Sequence, residues 1–222
     1  MIKAGFFISF EGIDCSGKST QLELLHEYLS SKLSKEHNKV PIIKTKEPGG
    51  TELGNKLRDL LLNTNYQFKA KFTELLLFIA DRLEHIEQVI KPNLDKKAIV
   101  LCDRFLDSTI AYQIGGRDLP ESKVLEINTL IDLKPDLTFL IDIDPDSTIW
   151  QERFSDKAKK IGKDRFEKED AFFYQKVRQT YLKLAKKEPA RIIVLDGLKS
   201  IKEINLEIIN IISEHLLKLK ND

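Results

Sequence analysis

Phe6-Phe7-Ile8-Ser9-Phe10-Glu11-Gly12-Ile13-Asp14-Cys15-Ser16-Gly17-Lys18-Ser19-Thr20 is the stretch on which the reading of this chain turns. Its opening, Phe6 to Phe10, is an apolar run short enough for a buried parallel strand. Gly12 to Ser19 then satisfies the spacing G-x-x-x-x-G-K-[ST] at every fixed position. The two glycines admit backbone conformations that a Cβ would obstruct, so successive N–H groups can converge on phosphate oxygens. Lys18 adds a mobile positive charge for the outer phosphates, and the Ser19 hydroxyl can ligate Mg²⁺. A helix beginning near Gly17 aims its positive end at the same anion. Gly12, Ile13, Asp14, Cys15, Ser16, Gly17, Lys18, Ser19 and Thr20 are therefore read as the cradle of a nucleoside triphosphate.

Working outward, Leu22, Leu25, Leu29 and Leu33 recur at helical spacing and run into a polar loop from Ser34 to Lys39. Val40 to Ile43 reads as a second strand, with Pro41 near its start, where a missing donor matters least. Glu47-Pro48-Gly49-Gly50 is a turn, and Thr51 is placed to cap a helix carrying Leu53, Leu57, Leu60 and Leu61. A further helix is expected from Phe72 to Ile90, stopped by Pro92. Ala98 to Cys102, Leu137 to Asp142 and Arg191 to Asp196 read as strands three to five. Glu121 to Ile131, Ala171 to Lys187 and Ile201 to Lys218 carry helical patterns. Strands alternating with helices mean crossover connections and a parallel sheet covered on both faces.

The 222 residues suffice for one well-buried domain, which we place over 1–222, and are short for two. Apolar residues make up 41% and charged residues 32%, an ordinary soluble composition. With 36 Lys and Arg against 35 Asp and Glu, the net charge of +1 supplies no global field for nucleic acid or a membrane. Cys15 and Cys102 are too few for a disulfide framework, and no C-x-x-C pair suggests zinc. No signal peptide precedes the first strand and no apolar run approaches membrane length, so a cytoplasmic location is expected. His26, His37, His85 and His215 form no constellation with a Ser or Cys nucleophile and read as structural or surface residues.

Strand three ends in Asp103-Arg104. A carboxylate there, in a chain with a phosphate loop, is placed to organise Mg²⁺ together with Ser19. The alternative is a capping Asp with a surface Arg. Arg104 offers a planar fork for phosphate, as does Arg58 on the helix after the turn. Phe78 and Arg82 lie one turn apart on one helix face. They read either as a core Phe and a surface Arg, or as a pair that stacks on a base and bonds its edge. Glu152 to Asp170 crowds Arg153, Lys157, Lys159, Lys160, Lys163 and Arg165 around Gly162. Alone this is a solvated helix; beside a phosphate loop it reads as a basic flap that meets charge and excludes water.

With these residues in view, the chain resembles the thymidylate kinases from Phe7 to about Asp196. Phe10-Glu11-Gly12-Ile13-Asp14 is similar to that family's F-E-G-x-D opening, and Glu47-Pro48-Gly49-Gly50-Thr51 to its E-P-G-G-T turn. Glu74 to Arg82, Asp103-Arg104-Phe105-Leu106-Asp107-Ser108 with Ala111-Tyr112-Gln113, and Asp164-Arg165-Phe166-Glu167 match three further motifs in order. The resemblance implies a P-loop kinase fold, three-layer α/β/α with a five-stranded parallel sheet and a helical lid over about 150–167. It implies a homodimer, and ATP-dependent phosphorylation of dTMP to dTDP on the route to dTTP, with ATP and Mg²⁺. By the same resemblance, Asp14 serves the sugar 3′-hydroxyl and Mg²⁺ near the acceptor. Arg58 and Arg104 clamp the acceptor phosphate, Ser108, Thr109, Tyr112 and Gln113 wall the thymidine pocket, and Phe78 and Arg82 face them.

Three positions depart from the family pattern. Lys46 precedes the E-P-G-G turn, where Arg is commoner; Phe105 replaces a polar third residue of D-R-[YH]; and Cys15 stands where some members place an arginine. A thiol cannot supply that charge, so the chain resembles the group whose lid provides arginines, with Arg153 and Arg165 as the candidates: Arg153 is the better one for touching phosphate, and Arg165 either joins it or holds the lid's end in place. The near alternative is another nucleotide or deoxynucleoside kinase on the same scaffold. A GTP-dependent switch would need Asn-Lys-x-Asp, and Asn38-Lys39 runs into Val40-Pro41 instead.

Overall fold

Phe6, Ile8 and Phe10 pack into one hydrophobic cluster while Phe7 packs into another, so the first strand buries both of its faces. That is the signature of a strand inside a parallel sheet. A computed structural model describes residues 5–33, 40–161 and 164–221. The loop expected over 34–39, with His37 in it, and the Gly162 and Lys163 of the flap lie outside the described residues.

Strands β1 (Phe6–Glu11), β2 (Ile42–Lys46), β3 (Ile99–Asp103), β4 (Leu137–Asp142) and β5 (Ile192–Asp196) form one parallel sheet in the order β2-β3-β1-β4-β5. Helices α1 (Lys18–Leu33) and α9 (Ile201–Asn221) cover one face through Leu22, Leu25, Leu29, Ile204, Ile208 and Ile212. The other face carries α8 (Ala171–Lys187), whose Tyr174, Val177 and Tyr181 pack with Leu140 and Ile192. The α/β/α expectation holds. The order reverses between β1 and its two neighbours, which places the carboxyl ends of β1 and β3 at the crevice where such sheets take ligands.

Strand two lies later than the Val40–Ile43 expected. Ile42 to Lys46 pairs in register with Ile99 to Asp103, and Pro41 stays outside, giving only its carbonyl to the Ile99 N–H. Lys44 and Lys46 point to solvent on this edge strand, so its charged half looked like loop. Helix α2 (Glu52–Leu62) begins as expected, with the Thr51 hydroxyl accepting from the Gly54 N–H at 2.9 Å.

Pro92 does not stop its helix. Helix α3 (Lys71–His85) passes into a π-helical segment, Ile86–Ile90, and then α4 (Lys91–Asp95), with Pro92 in the first turn of α4, where its missing donor costs least. Helix α5 (Leu106–Thr109), a second π-helical segment (Ile110–Gly116) and α6 (Glu121–Asn128) follow β3. Gly116 lets α8 approach that segment, since a Cβ there would sit 2.5 Å from the Phe173 ring. The flap contains helix α7 (Thr148–Ile161).

Candidate active site

The glycines of the loop after β1 do what their spacing requires. Gly12 has φ 144 and Gly17 φ 102, and a Cβ on Gly12 would lie 2.6 Å from the Ile141 carbonyl. Cys15 also takes a positive φ, 61, an uncommon conformation for a residue with a side chain. Lys18 lies over the loop, its Nζ 3.4 Å from the Ile13 carbonyl; burial and then Arg104 push its pKa down.

Two cavities open on this loop. One is bounded by Asp14 to Gln21, Arg153, Lys157, Lys199, Ile201 and Ile204. The other is lined by Asp14, Pro48, Arg58, Phe78, Arg82, Arg104, Ser108, Thr109, Tyr112, Gln113, Lys157 and Phe166, among others. Every acceptor-side residue expected from the sequence lies on the second cavity. The two share Asp14 and Lys157, so they meet at a carboxylate and an ammonium.

Arg104 stands at that junction because its backbone is bent into the left-handed region, φ 71, with its N–H returned to the Phe10 carbonyl. Its guanidinium donates to the Gly12 carbonyl and the Asp14 carboxylate, each at 2.9 Å, and lies 4.9 Å over the Tyr112 ring. Burial works to raise the Asp14 carboxyl, but Arg104, Lys18 and Lys157 outweigh it and hold the group well below the usual carboxylate range. Asp14 is ionised at any working pH.

Ser19 and Asp103 are also brought together, the hydroxyl donating to Asp103 Oδ2. Asp103 Oδ1 is buried and has no hydrogen-bond partner among the described residues. A hydroxyl, a carboxylate with an unspent oxygen and room for phosphate oxygens suit Mg²⁺, which takes few protein ligands.

The base end of the second cavity differs from the simplest expectation. Arg82 is buried and already committed: Nε donates to Glu47 at 2.7 Å, and its terminal nitrogens to Thr109 Oγ1 at 2.6 Å and the Phe105 carbonyl at 3.0 Å. It braces the wall at least as much as it faces the cavity. Gln113 carries the freer group. Its Nε2 donates to Glu74 at 2.6 Å, and because an ionised carboxylate only accepts, the amide oxygen is the end left over. That oxygen is buried without a partner among the described residues. Phe78 stands 6.0 Å from Phe166 of the lid's end, so two aromatic rings border the same space.

The two lid arginines differ in where they sit. Arg165 lines neither cavity: its Nε donates to the Leu61 carbonyl at 2.8 Å, its NH1 pairs with Glu74, and its guanidinium stacks on Phe68 and Phe166. Glu74, buried on α3, draws it away from the junction. Arg153 does reach the phosphate loop, 3.4 Å from the Ser16 and Gly197 carbonyls. Among the described residues Lys157 is the lid cation shared by both cavities, and it pairs with Glu167. The missed signal was phase, since 150, 153 and 157 fall on one face of a helix. Trp150, on that face, donates its indole N–H to the Asp14 carbonyl at 2.7 Å and ties α7 to the loop.

Known proteins resemble this chain over nearly its whole length. The family model described as thymidylate kinase matches residues 10–208. The thymidylate kinase of Sulfurihydrogenibium sp. (strain YO3AOP1) is 45% identical over 208 residues, 93% of this chain and 96% of that protein. The thymidylate kinase of Thermosipho africanus (strain TCF52B) is 46% identical over 212 residues, 95% of this chain and 98% of that one. The crystal structure of thymidylate kinase from Ehrlichia chaffeensis aligns with a TM-score of 0.74 at 39% identity, covering 95% of this chain and 99% of that chain.

Proposed function

This chain belongs to the thymidylate kinase family, and we propose that its two cavities carry out ATP-dependent phosphorylation of dTMP, giving dTDP on the route to dTTP. One observation carries the assignment of sites: the phosphate-loop cavity and the aromatic cavity meet at Asp14 and Lys157. A donor phosphate in the first and an acceptor phosphate in the second would face each other there.

The residues divide the work accordingly. Backbone N–H groups of the loop and Lys18 hold the ATP phosphates, and the cavity continues to Lys199, Ile201 and Ile204 on the nucleoside side. Arg104, held planar over Tyr112, and Arg58, anchored to the Pro48 carbonyl at 2.8 Å, take the acceptor phosphate. The unpartnered Gln113 oxygen suits the N3–H of thymine, a donor that cytosine lacks. Phe78 and Phe166 supply apolar faces for the ring. Ser19 and Asp103 would hold Mg²⁺, which would neutralise charge on the phosphates. Asp14 orients Arg104 and fronts the acceptor sugar; Lys157 and Arg153 meet charge from the lid side. Such a transfer rests on alignment and charge stabilisation, with no covalent help required of the protein.

Among the described residues no helix is long and apolar enough to cross a membrane. We place the enzyme in the cytoplasm, as a homodimer. The test is ADP release measured with dTMP, dUMP, thymidine, dGMP and AMP as acceptors. Turnover with dTMP far above the purine nucleotides and thymidine supports the reading. Faster turnover with dGMP or AMP moves the chain to another nucleotide kinase, and slow hydrolysis indifferent to acceptor indicates a switch.

A further inference from the structure

Beneath the Arg104 guanidinium lies a carboxylate that the phosphoryl transfer does not use. Glu11, the last residue of β1, is fully buried. Its Oε1 accepts the Phe105 N–H at 2.7 Å, and its Oε2 accepts the Ser108 hydroxyl at 2.5 Å and the Tyr181 hydroxyl at 2.9 Å. These two hydroxyls are the ones Arg104 NH1 approaches from the other side, at 3.2 Å and 3.4 Å. The groups form a relay in which Arg104 donates to two hydroxyls, which donate to Glu11 and lie 2.7 Å from each other.

The direction of this relay depends on Glu11 being an acceptor only. A hydroxyl has one proton; spent on Glu11, it leaves the lone pairs free for the guanidinium. A proton or an amide N–H₂ at position 11 reverses one of these bonds, so that Ser108 or Tyr181 accepts from position 11 instead of donating to it. Its own proton must then turn to the other hydroxyl, 2.7 Å away, or towards Arg104, and the lone pairs offered to the guanidinium change. The Phe105 N–H anchor acts on the same turn, because Phe105 directly follows Arg104 at its strained φ.

We propose that Glu11 is the positioning residue of the acceptor-phosphate clamp: by accepting from Phe105, Ser108 and Tyr181 it fixes the hydroxyls that hold the Arg104 guanidinium in place. The proposal rests on the reading of Arg104 as a ligand of the dTMP phosphate. The groups facing Glu11 are Arg104 from the turn after β3, Asp107 and Ser108 from α5, and Tyr181 from α8; Asp107 is itself held by Arg191 at 2.7 and 2.8 Å. Burial and the Asp107 carboxylate push the Glu11 carboxyl up to about 7. The relay should therefore fail on acidification through neutrality, and dTMP use should weaken with it.

The test is steady-state kinetics of Glu11→Gln between pH 6 and pH 8.5, with thermal melting alongside. The variant should raise the dTMP KM tenfold or more at pH 8, hold the ATP KM within twofold, and lack the acid limb near pH 7 expected of the wild type in kcat/KM for dTMP. A dTMP KM within twofold of wild type, an equal rise in both KM values, or an unchanged acid limb overturns the proposal. If Glu11→Gln does not fold, Tyr181→Phe decides. Removing one donor from the carboxylate should raise the dTMP KM and move the acid limb to higher pH. An unmoved limb, or one moved to lower pH, overturns it. Failure of the kinase reading itself shows separately, as wild-type protein that does not turn over dTMP.

Discussion

Lys157 and Glu167 form an ion pair between helix α7 and the segment that closes the lid, with Lys157 two-fifths exposed and Glu167 buried. The pair holds the ammonium within electrostatic reach of the Asp14 carboxylate, whose pKa it helps to depress. We propose that the cation Cys15 cannot supply is this lysine, one turn beyond Arg153.

Lys157→Ala should lower kcat on the order of 10²-fold or more, as removal of a preorganised transition-state partner does, and leave both nucleotide KM values within about threefold. That split marks an interaction made mainly in the transition state. Steady-state kinetics with dTMP and ATP varied in turn is the check. A kcat within about threefold of wild type, roughly 0.7 kcal/mol, would place the cation elsewhere.

Arg165→Ala separates a structural lid residue from a catalytic one. The substitution removes donors to Glu74 and the Leu61 carbonyl and leaves the buried Glu74 carboxylate with fewer partners. A loss of about 1–3 kcal/mol of stability follows from such an orphaned group. Denaturant midpoints should shift accordingly, and kcat should fall far less than in Lys157→Ala. A kcat defect matching that of Lys157→Ala, with unchanged stability, would return Arg165 to the reaction.

How much of this was legible in the sequence follows from what each residue has to satisfy. Gly12, Gly17, Lys18, Ser19 and Asp103 are fixed by local geometry and chemistry, which a short window displays. The strands of the interior are fixed by apolar runs. Edge strand β2 misled because half its side chains face water, and Pro92 because the π-helical segment before it changes where a helix restarts. Arg82 and Arg165 stayed open to two readings for a different reason. Their partners, Glu47 and Glu74, lie 35 and 91 positions away, and only tertiary structure shows that a cation is already engaged.

Arg104→Lys tests the clamp by shape at constant charge. Arg104 spreads its two terminal nitrogens over Gly12, Asp14, Ser108, Tyr181 and Tyr112 while it lies over the Tyr112 ring. An ammonium provides neither the second parallel donor nor the flat surface. kcat/KM for dTMP should drop roughly 10- to 100-fold, about 1.4–2.7 kcal/mol, with little change in the ATP KM. Near-normal kcat/KM in the lysine variant would show that the fork is not used.

Gln113→Leu addresses base reading. If its amide oxygen accepts thymine N3–H, the substitution should raise the dTMP KM by about tenfold, in line with a lost hydrogen bond to a buried group of about 1–3 kcal/mol. A second measurement isolates that bond. Wild-type enzyme should reject the 5′-monophosphate of N3-methylthymidine, and the variant should discriminate much less against it. Equal discrimination by both proteins would remove Gln113 from recognition.

Asp81 yields a stability prediction whose sign is fixed by where its proton sits. It is fully buried on α3, accepts the Gly49 N–H at 3.0 Å, and leaves Oδ2 without a partner among the described residues. Burial, then the nearby Glu47 carboxylate, raises its pKa from 3.8 to about 6. Between those two values the folded protein binds more protons than the unfolded chain, so stability falls as pH rises, and above about 6 the full cost of the buried charge is present. A shift of that size corresponds to about 3 kcal/mol at 1.36 kcal/mol per unit. Asp81→Asn keeps an acceptor for Gly49 and carries no charge. Relative to wild type it should be stabilised most at pH 8, by up to that amount, and the advantage should shrink as pH falls through 6 towards 4. Urea unfolding of both proteins at pH 8, 6 and 4.5 gives the comparison. An advantage that grows on acidification, or a variant least stable relative to wild type at pH 8, would mean that Asp81 is ionised and favourably paired in the folded protein.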